Sequence, residues 1–341
     1  MQTLGYLGWQ GRGNFGDDLI HHAWRVALEG RFRLVEMPLY PSDRRQIARA
    51  LTSARLRRVK TVLIGGGTVI GFENWSRHAM TALKLTGARQ AVAIGCGAPA
   101  VDDRAATTLQ RLDWASWQTS KLIVRGVRGP LSLESITVAG LPSTGVIGDS
   151  ALLYDSHKSW QRESQVGRFI GLALGNDSGS SFELETILDA VTQYKSGDPE
   201  VKIKVFALST RDQASAQLVL SALKDSTGVI YTGDVDFIMR ELATCEVVLS
   251  ERLHGCIAAA AVGVPSISLA YLSKCVDFML SIGRAQWVAP VGVSSSALHQ
   301  LLRKASASDR AELNRAVEGL RISLRAEVDA LSDAELRTVS E

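Results

Sequence analysis

Val247-Val248-Leu249-Ser250-Glu251-Arg252-Leu253-His254-Gly255-Cys256-Ile257-Ala258-Ala259-Ala260-Ala261 runs from an uninterrupted apolar stretch, past an Arg and a His two residues apart, into a small-residue segment that Gly263 and Pro265 bring to a stop. A short apolar run bounded by polar residues reads as a buried strand, and the Ala-rich segment after it as a helix. Strand, turn and helix in that order build a parallel sheet, and an open α/β sheet binds its ligands where strands end. A guanidinium offers a fixed fork of donors to a phosphate or carboxylate, while an imidazole exchanges a proton near neutral pH. The pair points to an anion bound beside an acid-base group. The structural alternative is a surface ion pair next to a hydrogen-bonded His.

The same alternation extends over most of the chain. Apolar runs at 4–7, 33–37, 61–64, 91–94, 122–124 and 145–147 are separated by amphipathic segments such as 17–28, where Leu19, Ile20, Ala23 and Val26 share one side and Gly30 supplies the stop. A second series lies at 169–174, 203–208, 229–231, 247–249 and 266–270. The pattern predicts an α/β protein of two doubly wound, Rossmann-like domains. The expected boundaries are 1–155 for the first domain, 156–167 for a polar linker, 168–290 for the second domain and 291–341 for a helical C-terminal region. There Leu313, Val317, Leu320, Leu324, Val328 and Leu331 recur at spacings of four and three. That stripe predicts a helix packed on the body, with homodimerisation as its other use.

Composition narrows the function classes. The chain has 341 residues, of which 46% are hydrophobic and 21% charged, enough for two cores. Its net charge of +3 gives no electrostatic case for nucleic acid. Without a leader-like start or an apolar run of membrane-spanning length, a soluble cytoplasmic protein is expected. One segment qualifies this: Arg44, Arg45, Arg49, Arg55, Arg57, Arg58 and Lys60 form a basic run without an acid after Arg44. It reads as a solvated helix face or as a peripheral contact with anionic lipid at the inner face of a membrane. Cys96, Cys245, Cys256 and Cys275 are widely spaced within apolar surroundings and read as buried free thiols.

Gly, Asp, Asn, Ser and Thr gather where both series of strands end, which in a parallel sheet is one side. If the two halves face each other, these loops line one cleft with Arg252 and His254. Gly11-Arg12-Gly13-Asn14-Phe15-Gly16-Asp17-Asp18 follows the first strand and opens the first helix; it reads as a phosphate or sugar loop through Gly13, Asn14, Asp17 and Asp18, or as a helix cap. Gly65-Gly66-Gly67-Thr68 ends another strand, and three successive glycines mark a positive-φ turn or a ligand lying against the backbone, with Gly66, Gly67 and Thr68 as the contacts. Arg128, at the start of the helix after a further strand, is the second candidate anion clamp, and Asp149 either accepts a sugar hydroxyl or closes its turn.

Taken together, GxGNxGDD, GGGT, VRGPLS, GDSALL and SERLHG followed by GVPSISLAY and Lys274 resemble the polysaccharide pyruvyl transferase family, with Gly-Pro after Arg128 most like its succinoglycan-ketalase branch. The resemblance spans residues 4 to about 282. It implies a glycosyltransferase-B-like pairing of Rossmann domains and transfer of a pyruvyl group from phosphoenolpyruvate to two sugar hydroxyls, giving a pyruvate ketal and phosphate. The acceptor would be a cell-surface polysaccharide or its precursor, lipid-linked or not. By motif match, Arg252, His254 and, less directly, Arg128 are the catalytic residues and Lys274 a substrate contact. No cofactor is implied, since phosphoenolpyruvate is itself a substrate. One departure stands out: Arg128-Gly129 replaces the Arg-Asp found in many members. The chemistry suits the residue types, with arginines to clamp two anionic groups and a His to protonate the methylene carbon. Asp17, Asp18, Asp149 and Glu251 are the candidates for the base.

Two rival functions share much of this pattern: a glycosyltransferase using a nucleotide sugar, and a non-catalytic protein that holds an acidic glycan. Metal dependence separates the first. Scattered cysteines, no i, i+4 histidine pair, and an Asp234-x-Asp236 that opens a helical segment leave no obvious cage for a divalent ion. His21 and His22, adjacent on a helix, point about a hundred degrees apart. Activity is expected to survive exhaustive EDTA treatment; loss that magnesium or manganese restores would favour the nucleotide-sugar reading.

Overall fold

The structure is a computed structural model that describes residues 2–39, 56–103, 108, 110–154, 168–175 and 181–337. The predicted linker at 156–167 and most of the basic run lie outside the described residues; within that run, Arg58 and Lys60 are exposed. The chain divides into two compact units: one of residues 1–10, 20–154 and 319–341, the other of residues 11–19 and 155–318. Neither unit is one continuous stretch. The glycine loop at 11–19 groups with the second unit, and the last stretch of the chain with the first.

The first unit is built on a five-stranded parallel sheet in the order β2-β1-β3-β4-β5, formed by β1 (Gln2–Leu7), β2 (Phe32–Glu36), β3 (Val59–Ile64), β4 (Gln90–Ala93) and β5 (Leu122–Val124). Order reverses between β1 and β3, a topological switch point of the doubly wound kind. Leu7, Val62, Leu63 and Ile64 are fully buried, as strands covered by helices on both faces require. The covering helices include α1 (Phe15–Ala27), α2 (Glu73–Thr86), the single turn α3 (Trp114–Trp117) and α4 (Pro130–Val138). The run at 145–147 forms no strand, only an isolated bridge from Val146 to Val127. Positive-φ glycines at 145 and 148 flank it and prevent a longer ladder.

The second unit carries a six-stranded parallel sheet, with β6 (Phe169–Ala173), β7 (Lys202–Ala207), β8 (Ser226–Ile230), β9 (Cys245–Ser250), β10 (Ser266–Leu269) and the two-residue β11 (Val288–Ala289). The order β11-β10-β9-β6-β7-β8 is that of a dinucleotide-fold sheet, with its switch point between β6 and β9. Helices α5 (Leu184–Ser196), α6 (Gln213–Ala222), α7 (Val235–Ala243), α8 (Leu253–Ala261), α9 (Ser273–Ser281) and α10 (Ser295–Ser306) connect and cover it. The Ala-rich α8 is buried from Gly255 to Ala261, packing on β9, β10, α7 and α9 at once. Small side chains let it approach on every side, and Gly255 is obligatory: a Cβ there would lie 2.2 Å from Ser250 Oγ.

The last helix, α11 (Arg310–Arg337), buries Leu313, Val317, Leu324, Val328 and Leu331, as the stripe predicts. Its portion in the first unit lies against the carboxyl ends of β4 and β5. A Cβ at Gly95 would come within 3.0 Å of Leu324, and one at Gly148 within 3.0 Å of Leu320. Glu327 pairs with Arg125 at 2.5 Å, and Arg321 Nε donates to the Leu152 carbonyl at 2.8 Å. Among the described residues no helix is long and apolar enough to cross a membrane. All four cysteines are free and buried, and burial, aided by Asp149, pushes the Cys96 thiol up to about 12.

Leu324 is fully buried, so Leu324→Ala should cost about 2–5 kcal/mol, read as a lowered denaturation midpoint in urea. A loss below about 1 kcal/mol would show that α11 does not pack as described.

Candidate functional site

In the second unit the switch point is held by its own residues. Glu251, 1% exposed at the end of β9, accepts a hydrogen bond from the Gly175 amide just past β6 at 2.7 Å, while its own amide donates to Ala173 at 3.0 Å. The sequence offers Glu251 as a base; the structure gives its carboxylate the task of tying β6 to β9. The next residue, Arg252, is the N-cap of α8 in extended conformation. Its guanidinium is gripped by Asp212: Nε donates to Oδ1 at 3.0 Å and Oδ2 at 3.1 Å, and Nη2 donates to Oδ1. Asp212 is 1% exposed, and separating such a pair by removing one partner costs about 3–5 kcal/mol.

His254, half-buried in the first turn of α8, sits against the first turn of α1. A Cβ at Gly16 would fall 2.2 Å from His254 Nδ1, so the imidazole occupies the space that glycine leaves. That turn of α1 is anchored within the same unit. Phe15 N donates to Leu208 O at 2.8 Å, Thr210 N to Gly13 O at 3.2 Å, and Asn14 bridges Ser209. Gly13 sits at positive φ, and Asn14 Oδ1 caps the helix through Gly16 N at 2.9 Å. Asp18 accepts from the Tyr231 hydroxyl at 2.7 Å and from the Gly11 amide at 2.5 Å; burial and this carboxylate together hold the Tyr231 phenol above its ordinary range. Asp17 is half-buried in the same turn, where a carboxylate suits the helix dipole. Lys274, in the first turn of α9, lies 5.2 Å from the ring centroid of Tyr271. Burial raises the Tyr271 phenol, and the charges of Lys274 and Arg252 both pull it the other way. Gly13, Asn14, Asp17, Asp18, Arg252, His254 and Lys274 thus belong to one unit, with two helix N-termini, those of α1 and α8, meeting at His254.

The remaining candidates lie in the first unit. Gly66 and Gly67 both have positive φ. A Cβ at Gly66 would meet Ser150 Oγ at 2.7 Å, whereas at Gly67 it would meet nothing within 4 Å. Packing therefore explains Gly66, and backbone conformation alone explains Gly67. Where the sequence offers Arg128 to a donor anion, the structure buries it completely, its guanidinium against Gly97 and Nη1 donating to Thr68 Oγ1 at 3.1 Å. Asp149, also fully buried, caps the turn that follows it through Ala151 N at 3.0 Å. Gly129 is the N-cap of α4 without a side-chain bond, and Pro130 starts the helix. The carboxylate absent from this position would have sat on a helix N-terminus.

His21 and His22 go to different partners, Glu36 at 3.7 Å and the Tyr154 ring at 5.5 Å, beside a cavity of about 530 Å³ along α1 and the edge strand β2. Asp234 caps α7 through Phe237 N at 2.9 Å. Among the described residues no group of three or more His, Cys, Asp or Glu is placed to hold a metal. Sequence reading counts 175–181 and 209–212 among the polar strand-end loops but gives Gly175 and Asp212 no role, and it passes over Tyr231 and Tyr271; the available signal is that each follows a strand of the same parallel sheet.

Two doubly wound parallel sheets, each with its polar loops at the strand ends, define a protein of the glycosyltransferase-B-like, two-Rossmann-domain class. Solved structures agree at the level of fold. S. aureus MnaA, in a co-structure with UDP, has a TM-score of 0.64 at 11% identity, covering 100% of this chain and 98% of that one. UDP-GlcNAc 2-epimerase from Methanocaldococcus jannaschii gives 0.56 at 12% identity, over 94% and 98% of the two chains. The Neisseria meningitidis enzyme bound to UDP-GlcNAc gives 0.55 at 11%, over 95% and 99%. No curated protein matches the chain. The family model for polysaccharide pyruvyl transferases matches residues 14–273, and the chain belongs to that family. It is accordingly a transferase of pyruvyl groups.

Gly16→Ala should displace His254 while leaving α1 intact, since alanine is the better helix former. Turnover is expected to fall at least tenfold with an unchanged circular dichroism spectrum. Wild-type turnover in the folded variant would show that the position of His254 does not matter.

Proposed function

We propose that the protein transfers a pyruvyl group from phosphoenolpyruvate to two hydroxyls of a cell-envelope sugar, forming a cyclic ketal, with the donor handled by Arg252, His254 and Lys274. The observation that carries this reading is the juxtaposition of Arg252 and His254 in the first turn of α8, at the switch point of the second sheet and beside the first turn of α1. Helix N-termini attract anions, and Arg252 and Lys274 add positive charge felt at Tyr271.

Phosphoenolpyruvate carries a carboxylate and a phosphate on C2. Proton donation from the His254 imidazolium to the methylene carbon makes C3 a methyl group and leaves C2 electrophilic. One sugar oxygen bonds to C2, the C2–O bond to phosphate breaks, and the second sugar oxygen takes its place. Of the two hydroxyl protons released, one restores the imidazolium and the other leaves with phosphate. Arg252 stabilises the anion on which charge accumulates as phosphate departs. Thr68 and the glycines before it, braced by the buried Arg128, are proposed as acceptor contacts in the first unit, with Asp149 as a brace. A cytoplasmic location, and a lipid-linked acceptor reached through the basic segment at 44–60, fit a polysaccharide precursor.

The test is phosphate release from phosphoenolpyruvate across a panel of cell-envelope sugars, with mass spectrometry for the ketal. His254→Gln, similar in size but unable to titrate, should reduce turnover by about a hundredfold or more. Turnover of UDP-sugars with none of phosphoenolpyruvate would replace this reading with glycosyl transfer, and glycan binding without turnover of either donor would replace it with a binding role.

A further inference from the structure

The chemistry above gives no part to the buried acid beside Arg252. Asp212, 1% exposed, faces Arg252 along the Nε edge of its guanidinium with both carboxylate oxygens. Three features keep the acid in place. Gly175, at φ +122, lets the backbone after β6 pass against it, since a Cβ there would lie 2.7 Å from Asp212 Oδ1. Asp212 N donates to Ser209 O at 3.0 Å, closing the turn that Ser209 caps. Residues 208–210, just before it, receive the loop 13–15 through the backbone bonds already described, and that loop leads into Gly16, against which His254 rests.

We propose that Asp212 is the positioning residue of the donor clamp: it fixes the plane of the Arg252 guanidinium and turns the Nη1 edge away from the acid. An arginine on its flexible stem samples many orientations, and a grip at two points on one edge removes that freedom before the donor arrives. The acid also balances the guanidinium charge when no anion is bound, so that the cation is not stranded in a nearly buried place. One segment, 208–212, then sets both the aim of Arg252 and the backing of His254. The proposal rests on the reading of Arg252 as a donor contact and adds a second residue to it.

A double-mutant cycle tests this. Asp212→Asn keeps the size of the side chain but offers one acceptor oxygen and no charge; kcat/KM for phosphoenolpyruvate should fall about a hundredfold, the scale on which a displaced catalytic group acts. Arg252→Lys loses the fork and should fall comparably. If Asp212 acts through Arg252, the double variant is within about threefold of the worse single variant; multiplied effects, or a folded Asp212→Asn variant within threefold of wild type, overturn the proposal. A second readout needs no turnover and no Asp212 variant. In the wild-type protein one arginine Nε–H should give a slowly exchanging ¹⁵N–¹H signal that vanishes in Arg252→Lys. Its absence also overturns the proposal. If the signal is present but wild type does not turn over phosphoenolpyruvate, the assigned donor is wrong and the grip of Asp212 on Arg252 stands.

Discussion

A buried carboxylate facing a guanidinium is expensive to assemble and hard to rearrange once made. The second sheet places such a pair at its switch point. Asp212 and Arg252 come from the ends of different strands, and each is worth burying only because the other is there. Much of the surrounding sequence serves that geometry. Gly175 vacates the space beside Asp212, Glu251 ties β6 to β9 one residue before Arg252, and Gly255 lets α8 settle onto Ser250 so that its first turn begins at the mouth of the sheet. Packing and chemistry are therefore not separable here. The helix is rich in alanine because it is buried on all sides, and that burial keeps Arg252 and His254 at a fixed distance from β9.

The sheet class is legible because strands covered on both faces read as apolar runs: 247–249 is unbroken, 61–64 is apolar after Thr61, and 203–208 is interrupted only by Lys204. The run at 145–147 looks the same over three residues, but glycines with positive φ at both ends leave it one bridge. β11 is two residues long and has no pattern to read. The stripe on α11 was plain; its destination was not. Nothing local shows that the missing Cβ atoms of Gly95 and Gly148 make room for the side chains of Leu324 and Leu320.

The positions of Arg252 and His254 at a strand end could be read directly, because local order along the chain fixes them. Asp212 could not. A lone acid after Ser209-Thr210-Arg211 has the look of a turn or cap residue, and its partner is distant in sequence with no periodicity linking the two. The burial of Arg128 is hidden for the opposite reason. An arginine at a helix start resembles an anion clamp, and nothing local reveals that Gly97 opens a space for its guanidinium inside the unit. Burial is a property of the whole fold, and sequence reports it well for apolar side chains and poorly for charged ones.

The division of the chain bears on how it is synthesised. Asp18 waits for Tyr231, 213 residues later, and Leu152 and Tyr154 receive Arg321 only after all of the second unit has been made. Neither unit is a continuous piece of chain, so a ribosome emitting residues in order never presents one complete half before starting the other. The early strands leave the tunnel with the carboxyl ends of β4 and β5 still uncovered, and the residues that close them arrive last. A cut at the obvious midpoint would separate each half from a part of itself.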